Sequence, residues 1–140
     1  MLRKQVGKYM DSIANLLTKI KNASMVSKEI VELPYSKMSE SMLKIFKETG
    51  FVSDVKVFKF KDSVKKGISV SLSYLDSGKP KISQAKRISK PGRRIYRSAS
   101  ELKDERGVYG LTIVSTSRGL MPISEAKKKK LGGELVCEIY

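Results

Sequence analysis

"ISVSLSY", Ile68 to Tyr74, alternates an apolar residue with serine at every step. A period of two puts Ile68, Val70, Leu72 and Tyr74 on one side of a strand and the serines on the other. That is the pattern of a strand half buried in an antiparallel sheet. Immediately upstream, "FVSDVKVFKF" (Phe51 to Phe60) is rich in β-branched and aromatic residues. The polar "KDSVKKG" between the two runs is short enough for a hairpin with one buried face. Within the upstream run the apolar set passes from Val55 and Val57 to Phe58 and Phe60, and this change of side predicts a bulge there.

Further upstream, "DSIANLLTKIKNA" spaces Ile13, Leu16, Leu17 and Ile20 at i, i+3, i+4 and i+7, an amphipathic helix with Asp11 or Ser12 available as N-cap. Its polar face carries Thr18, Lys19, Lys21 and Asn22. "EIVELP" predicts a short strand ended by Pro34. "SKMSESMLKIFKETG" predicts a second helix that starts near Ser36, stops at Gly50 and buries Met38, Met42, Leu43, Ile45 and Phe46. The first part therefore reads α-β-α-β-β.

Downstream, "LDSGKP" gathers turn formers, and the expected boundary lies near Gly78. This gives an N-terminal α/β domain over 1–78, with residues 1–10 a basic extension, and a β-rich domain over 79–140. The second comprises the turn "SKPGR", a short helical segment around "SASELKDER", a strand "GVYGLTIV", the loop "STSRG", a short helix "SEAKKKK" and a closing strand "ELVCEIY". The expected fold class is α+β, two small domains, the second mostly β with short helices.

Charge narrows the function. The chain carries 29 Lys and Arg against 14 Asp and Glu, a net charge of +15, while 40% hydrophobic residues argue against a disordered basic tail. Its partner is expected to be a polyanion. From Lys79 to Arg97 there are eight cations and no acid, among them Lys86, Arg87, Lys90, Arg93 and Arg94, with Pro91 and Gly92 in a rigid turn and Tyr96 beside them. Such a stretch repels itself unless an anion neutralises it. Arg can grip phosphate oxygens, Lys supplies point charge and Tyr96 offers a stacking face, so nucleic acid is the expected ligand.

Enzymatic chemistry finds little support. There is no His to serve as a base near neutral pH, and "SQAK" (Ser83, Lys86) and "SEAK" (Ser124, Lys127) lack the companion motifs of serine acyltransferases. Nor is there a phosphate-binding loop of the G-x-x-x-x-G-K-[ST] type. A single cysteine, Cys137, excludes an internal disulfide and the usual zinc spacings, and its alternation with Leu135 and Ile139 marks it as a small buried hydrophobe. No metal, no cofactor and no catalytic residue are expected. With no apolar run near 18 residues and no secretory signal, no membrane partner is expected and the chain reads as cytoplasmic or organellar. "STSRG", Ser115 to Gly119, has two readings. It is a turn whose hydroxyls satisfy local backbone, or a small polar surface that lets an RNA groove approach, with Ser115, Thr116 and Ser117 reaching bases or 2′-hydroxyls and Arg118 a phosphate.

"SKPGRRIY", "GLTIVSTSRGLM" and "EAKKKKLGGELVCEIY" together resemble the C-terminal half of the family of the eighth small-subunit ribosomal protein, bacterial or organellar type. "DSIANLLTKIKNA" and "LPYSKMSESMLKIFKETGFV" resemble its first half. The resemblance implies a two-domain α+β structural component of the small ribosomal subunit, without catalytic activity, that binds the central domain of small-subunit ribosomal RNA during assembly and contacts neighbouring ribosomal proteins. Binding to its own messenger RNA is a further implication. The alternative is an RNA chaperone or translational regulator outside the ribosome. By resemblance, Ser115, Thr116, Ser117, Arg118 and Gly119 touch RNA, Lys90, Pro91, Gly92, Arg94 and Tyr96 form a second element, and Thr18, Lys21, Asn22, Ser36 and Lys37 make a smaller N-terminal contact. Arg93 stands where an apolar residue is usual in the family, Ser12 where Pro is common, and residues 1–9 precede the usual start.

Overall fold

The computed structural model describes residues 12–104 and 110–140. Helices and antiparallel sheets combine in an α+β fold whose C-terminal part is mostly β. Contacts group the chain into two compact units, one of residues 18–84 and one of residues 85–140 with those up to Leu17. The turn at Gly78 lies inside the first of these. There the Leu75 N–H donates to Lys79 O (2.7 Å), the Gly78 N–H donates to Leu75 O (2.8 Å), and Tyr74 bridges Pro80. Among the described residues no helix is long and apolar enough to cross a membrane.

Helix α1 (Ser12–Met25), which belongs to the first unit from Thr18 onward, buries Leu16, Leu17, Ile20 and Ala23; Asp11 lies outside the described residues. After β1 (Ile30–Pro34), α2 (Lys37–Glu48) starts where Ser36 accepts the Ser39 N–H at 3.0 Å. It ends in paired bonds from the Gly50 N–H to Lys47 O and from the Phe51 N–H to Phe46 O, with Gly50 at φ +86°. A left-handed residue after the last turn is the position glycine fills at least cost. Met42, Leu43, Ile45 and Phe46 are buried as expected, but Met38 is not. It is 42% exposed, and the helix instead turns Ser39 inward, where its hydroxyl accepts a hydrogen bond from Ser36.

The expected hairpin is β2 (Val52–Lys59) and β3 (Lys66–Leu72), and with β1 it forms a sheet in the order β1-β3-β2. Ile68, Val70 and Leu72 are buried as their alternation requires. The bulge is real but misplaced. Register is unbroken from Asp54 to Lys59 and shifts between Val52 and Asp54, where the Ser53 hydroxyl donates to Ser71 O (3.0 Å). Phe58 and Phe60 therefore do not follow a change of side. They occupy the face away from Val55 and Val57, and Phe58 stands opposite Gly67.

In the second unit, the antiparallel sheet runs β4-β8-β6-β7. It is built of β4 (Ala85–Arg87), β6 (Leu111–Thr116), β7 (Gly119–Pro122) and β8 (Gly133–Ile139). A short β5 (Tyr96–Arg97) also pairs β8, while a single 3₁₀ turn (Ala99–Glu101) and α3 (Ile123–Lys128) complete the unit. The expected helix around "SASELKDER" is thus one turn, and its residues 105 and 106 lie outside the described set, as do 107–109 of the expected strand. Leu102, Val114, Met121, Ile123 and Ala126 form a core cluster.

Cys137 is fully buried, and burial pushes its thiol up to about 12. At pH 8 about one molecule in ten thousand is then thiolate, the reactive form. A thiol reagent added to the native protein at pH 8 is expected to leave Cys137 unmodified and to react stoichiometrically once denaturant is added. Rapid labelling without denaturant would contradict its burial.

Candidate nucleic-acid interface

The hydroxyl loop is the tip of the β6–β7 hairpin. Thr116 pairs with Gly119, so Ser117 and Arg118 are its two turn residues and Gly119 takes φ +105°. Thr116 closes the turn with its own side chain: Oγ1 donates to Gly119 O (2.9 Å) and accepts the Arg118 N–H (3.1 Å). The turn reading of the sequence thus holds for Thr116. Thr116 is committed to the backbone, whereas Ser117 and Arg118 project into solvent and the Ser115 and Ser117 hydroxyls make no hydrogen bond among the described residues.

The second element is a tighter turn. Lys90 and Arg93 exchange backbone hydrogen bonds at 3.0 and 2.9 Å across Pro91 and Gly92. Its base is pinned by Ser89, only 1% exposed, whose hydroxyl accepts the Ile95 N–H (2.9 Å) and donates to Ile95 O (3.3 Å). Lys90 and Arg93 are exposed and form no ion pair among the described residues. Arg94 differs, because its Nη1 lies 3.2 Å from both carboxylate oxygens of Glu134.

Strand register brings these elements together. Glu134 of β8 stands opposite Tyr96 on one edge and Ser115 on the other, and Ser115 stands opposite Leu120. Residues directly opposite in antiparallel strands share a face, and neighbouring strands lie about 4.8 Å apart. Tyr96 and Ser115 are thus about 10 Å apart in one row, with Arg94 held at its middle by Glu134. The 63% exposure of Tyr96 leaves its ring available for stacking.

Close approach of backbones makes this row possible. A Cβ on Gly133 would lie 2.1 Å from Ser115 O, and one on Gly132 would lie 2.6 Å from Arg97 O. Sequence reasoning singled out neither glycine, nor Ser89, nor Glu134. "GG" before a strand was the available signal for the glycines; the other two carry none.

Other expected site residues lie elsewhere. Lys86 and Arg87 are on β4, opposite Glu138 and Cys137, with Arg87 three positions along β8 from Glu134, or about 10 Å. The Lys86 ammonium sits 5.6 Å from the centre of the Tyr140 ring. In the first unit, Thr18 and Asn22 are exposed on α1 and Lys21 is half-buried there. Ser36 spends its hydroxyl on the α2 cap, and Lys37 is exposed in the first turn. Glu101 accepts the Ser98 N–H at 2.9 Å, and this backbone bond, joined by the Ser98 hydroxyl, holds its carboxyl below the usual range. Among the described residues no group of three or more Cys, Asp or Glu side chains is arranged to hold a metal ion.

The family model described as ribosomal protein S8 matches residues 11–140. Similar proteins include the small ribosomal subunit protein uS8 of Helicobacter pylori strain 26695, 46% identical over 131 residues that cover 93% of this chain and 98% of that protein. The protein of the same name from Helicobacter acinonychis is equally similar, and that from Nautilia profundicola is 42% identical over 130 residues, with the same coverage.

Proposed function

Since the chain belongs to the ribosomal protein S8 family and is a structural component of the small ribosomal subunit, we propose that it binds small-subunit ribosomal RNA directly, in the central domain, through the second unit. The observation that carries this reading is the row Tyr96, Glu134, Ser115, with Ser117, Arg118, Lys90 and Arg93, whose side chains have no polar partner among the described residues, on the two turns beside it. Exposed hydroxyls reach 2′-hydroxyls or base edges, exposed cations meet phosphates, and Tyr96 stacks. Thr18, Lys21, Asn22 and Lys37 supply a lesser contact from the first unit, and Lys86 and Arg87 add general positive potential. Contacts with neighbouring ribosomal proteins complete its setting in the ribosome.

The test is a titration of the full chain against a folded central-domain RNA fragment and a scrambled duplex of equal length, at several salt concentrations. The fragment is expected to bind tighter by about a thousandfold or more at physiological salt. Ser117→Ala is expected to weaken the fragment alone, by about 0.5–1.5 kcal/mol. Arg93→Ala is expected to weaken both RNAs alike and reduce the salt slope by about 0.9. Equal affinity for the two RNAs, both collapsing as salt rises, would reduce the interface to bulk charge.

A further inference from the structure

The outer face of the first unit's sheet carries an aromatic and cationic groove that the interface above does not use. Across the sheet, Pro34 stands opposite Gly67, Gly67 opposite Phe58, and the Phe60 N–H donates to Lys65 O (3.1 Å) just beyond the strands. Gly67 lacks a side chain and Phe58 lies over it: a Cβ there would fall 2.5 Å from the ring. Phe60 meets Phe58 edge-to-face at 5.2 Å between centroids and 69° between planes. With Tyr35 these rings line a groove of about 750 Å³.

Two features of the groove are unusual for a solvated sheet face. Phe60 is 49% exposed and Val64 is 95% exposed, although the connection that carries them is internally bonded, with the Ser63 N–H on Phe60 O and the Lys65 N–H on the Ser63 hydroxyl. Two lysines, Lys65 and Lys66, line the groove against one acid, Glu32, and neither forms an ion pair among the described residues. The Lys66 ammonium instead lies 5.4 Å from the centre of the Tyr35 ring. Open aromatic faces beside the Lys65 and Lys66 ammonium groups complement a ligand that is flat and apolar on one side and anionic on the other. An unstacked nucleotide has that chemistry.

We propose that this groove binds an unpaired nucleotide of RNA, with its base on Phe60 and its phosphates at Lys65 and Lys66, as a site separate from the interface on the second unit. The choice of RNA over another anionic surface rests on the ribosomal setting. The chain contains no tryptophan, so Phe60→Trp supplies a single fluorescent reporter in the full-length protein. On titration with an unstructured oligouridylate of about ten nucleotides, the emission of Phe60→Trp is expected to be quenched saturably. Phe60→Ala, at an exposed position that leaves the fold intact by circular dichroism, is expected to bind that oligonucleotide about tenfold more weakly while keeping its affinity for the folded fragment. Ser117→Ala is expected to show the reverse, so failure of one site is distinguishable from failure of the other. Unquenched emission while anisotropy shows the oligonucleotide bound overturns the proposal, as does a response to anionic lipid vesicles or to a ribosomal protein in place of RNA.

Discussion

Gly133→Ala is expected to destabilise the second unit by about 3 kcal/mol or more and to abolish selective RNA binding at the same time. The reason is space, not backbone conformation. The added methyl would sit 2.1 Å from Ser115 O, 2.9 Å from Ser115 C and 3.2 Å from the Thr116 Cα. All three are backbone atoms of β6, so no side chain can swing aside. Either β6 separates from β8, breaking the Ser115–Glu134 pairing, or the hairpin tip moves with it. Thermal unfolding and the fragment titration check the two effects together. Gly92→Ala is the matched control: nothing lies within 4 Å of its added methyl, and it is expected to change stability by less than about 0.5 kcal/mol. Equal melting temperatures for the two variants would show that the β6–β8 contact yields more readily than the geometry implies.

Ser89→Ala is expected to cost about 1–3 kcal/mol, far more than the loss of one hydroxyl from a surface loop. Its hydroxyl is buried and serves both the N–H and the C=O of Ile95, so alanine leaves a backbone donor without its partner. Ile95 is also where the chain returns to the sheet, since its C=O accepts the Leu135 N–H at 2.9 Å. Without Ser89, the excursion carrying Lys90, Arg93 and Arg94 keeps the Lys90–Arg93 backbone pair and the exposed Arg94–Glu134 ion pair but loses its buried anchor. The measurable consequence is a split: affinity for the folded RNA fragment falls, whereas affinity for a scrambled duplex, which needs charge but no fixed geometry, is largely kept. Equal loss on both RNAs would mean that the turn acts only through its charge.

Local pattern made much of this protein legible. The alternation at Ile68 to Leu72, the i, i+3, i+4 spacing of α1 and the Ser36 to Gly50 limits of α2 are short-range signals set by the geometry of one element. The two turns were legible for the same reason. What the pattern missed depends on partners distant in sequence. The bulge sits at Ser53 because β3 fixes the register, and Met38 stays exposed although helical spacing alone brings it to the apolar side. The assembly of Tyr96 and Ser115 around Glu134 depends on β8 lying between β5 and β6, a strand order that no local motif encodes. Ser89 looked like one serine among many; only its burial distinguishes it.

The bond from the Thr116 hydroxyl across its own turn also bears on binding thermodynamics. The β6–β7 tip is closed by contacts three residues apart and needs no ligand to take its shape. Its conformational entropy is lost on folding, so association with RNA requires little ordering of the chain there. A tip closed in this way is expected to adapt little to an ideal duplex, so that deformation on binding falls on the RNA. If RNA binds here as proposed, selectivity at this hairpin is expected to favour helices already distorted or easily bent, with RNA flexibility rather than protein rearrangement the source of discrimination.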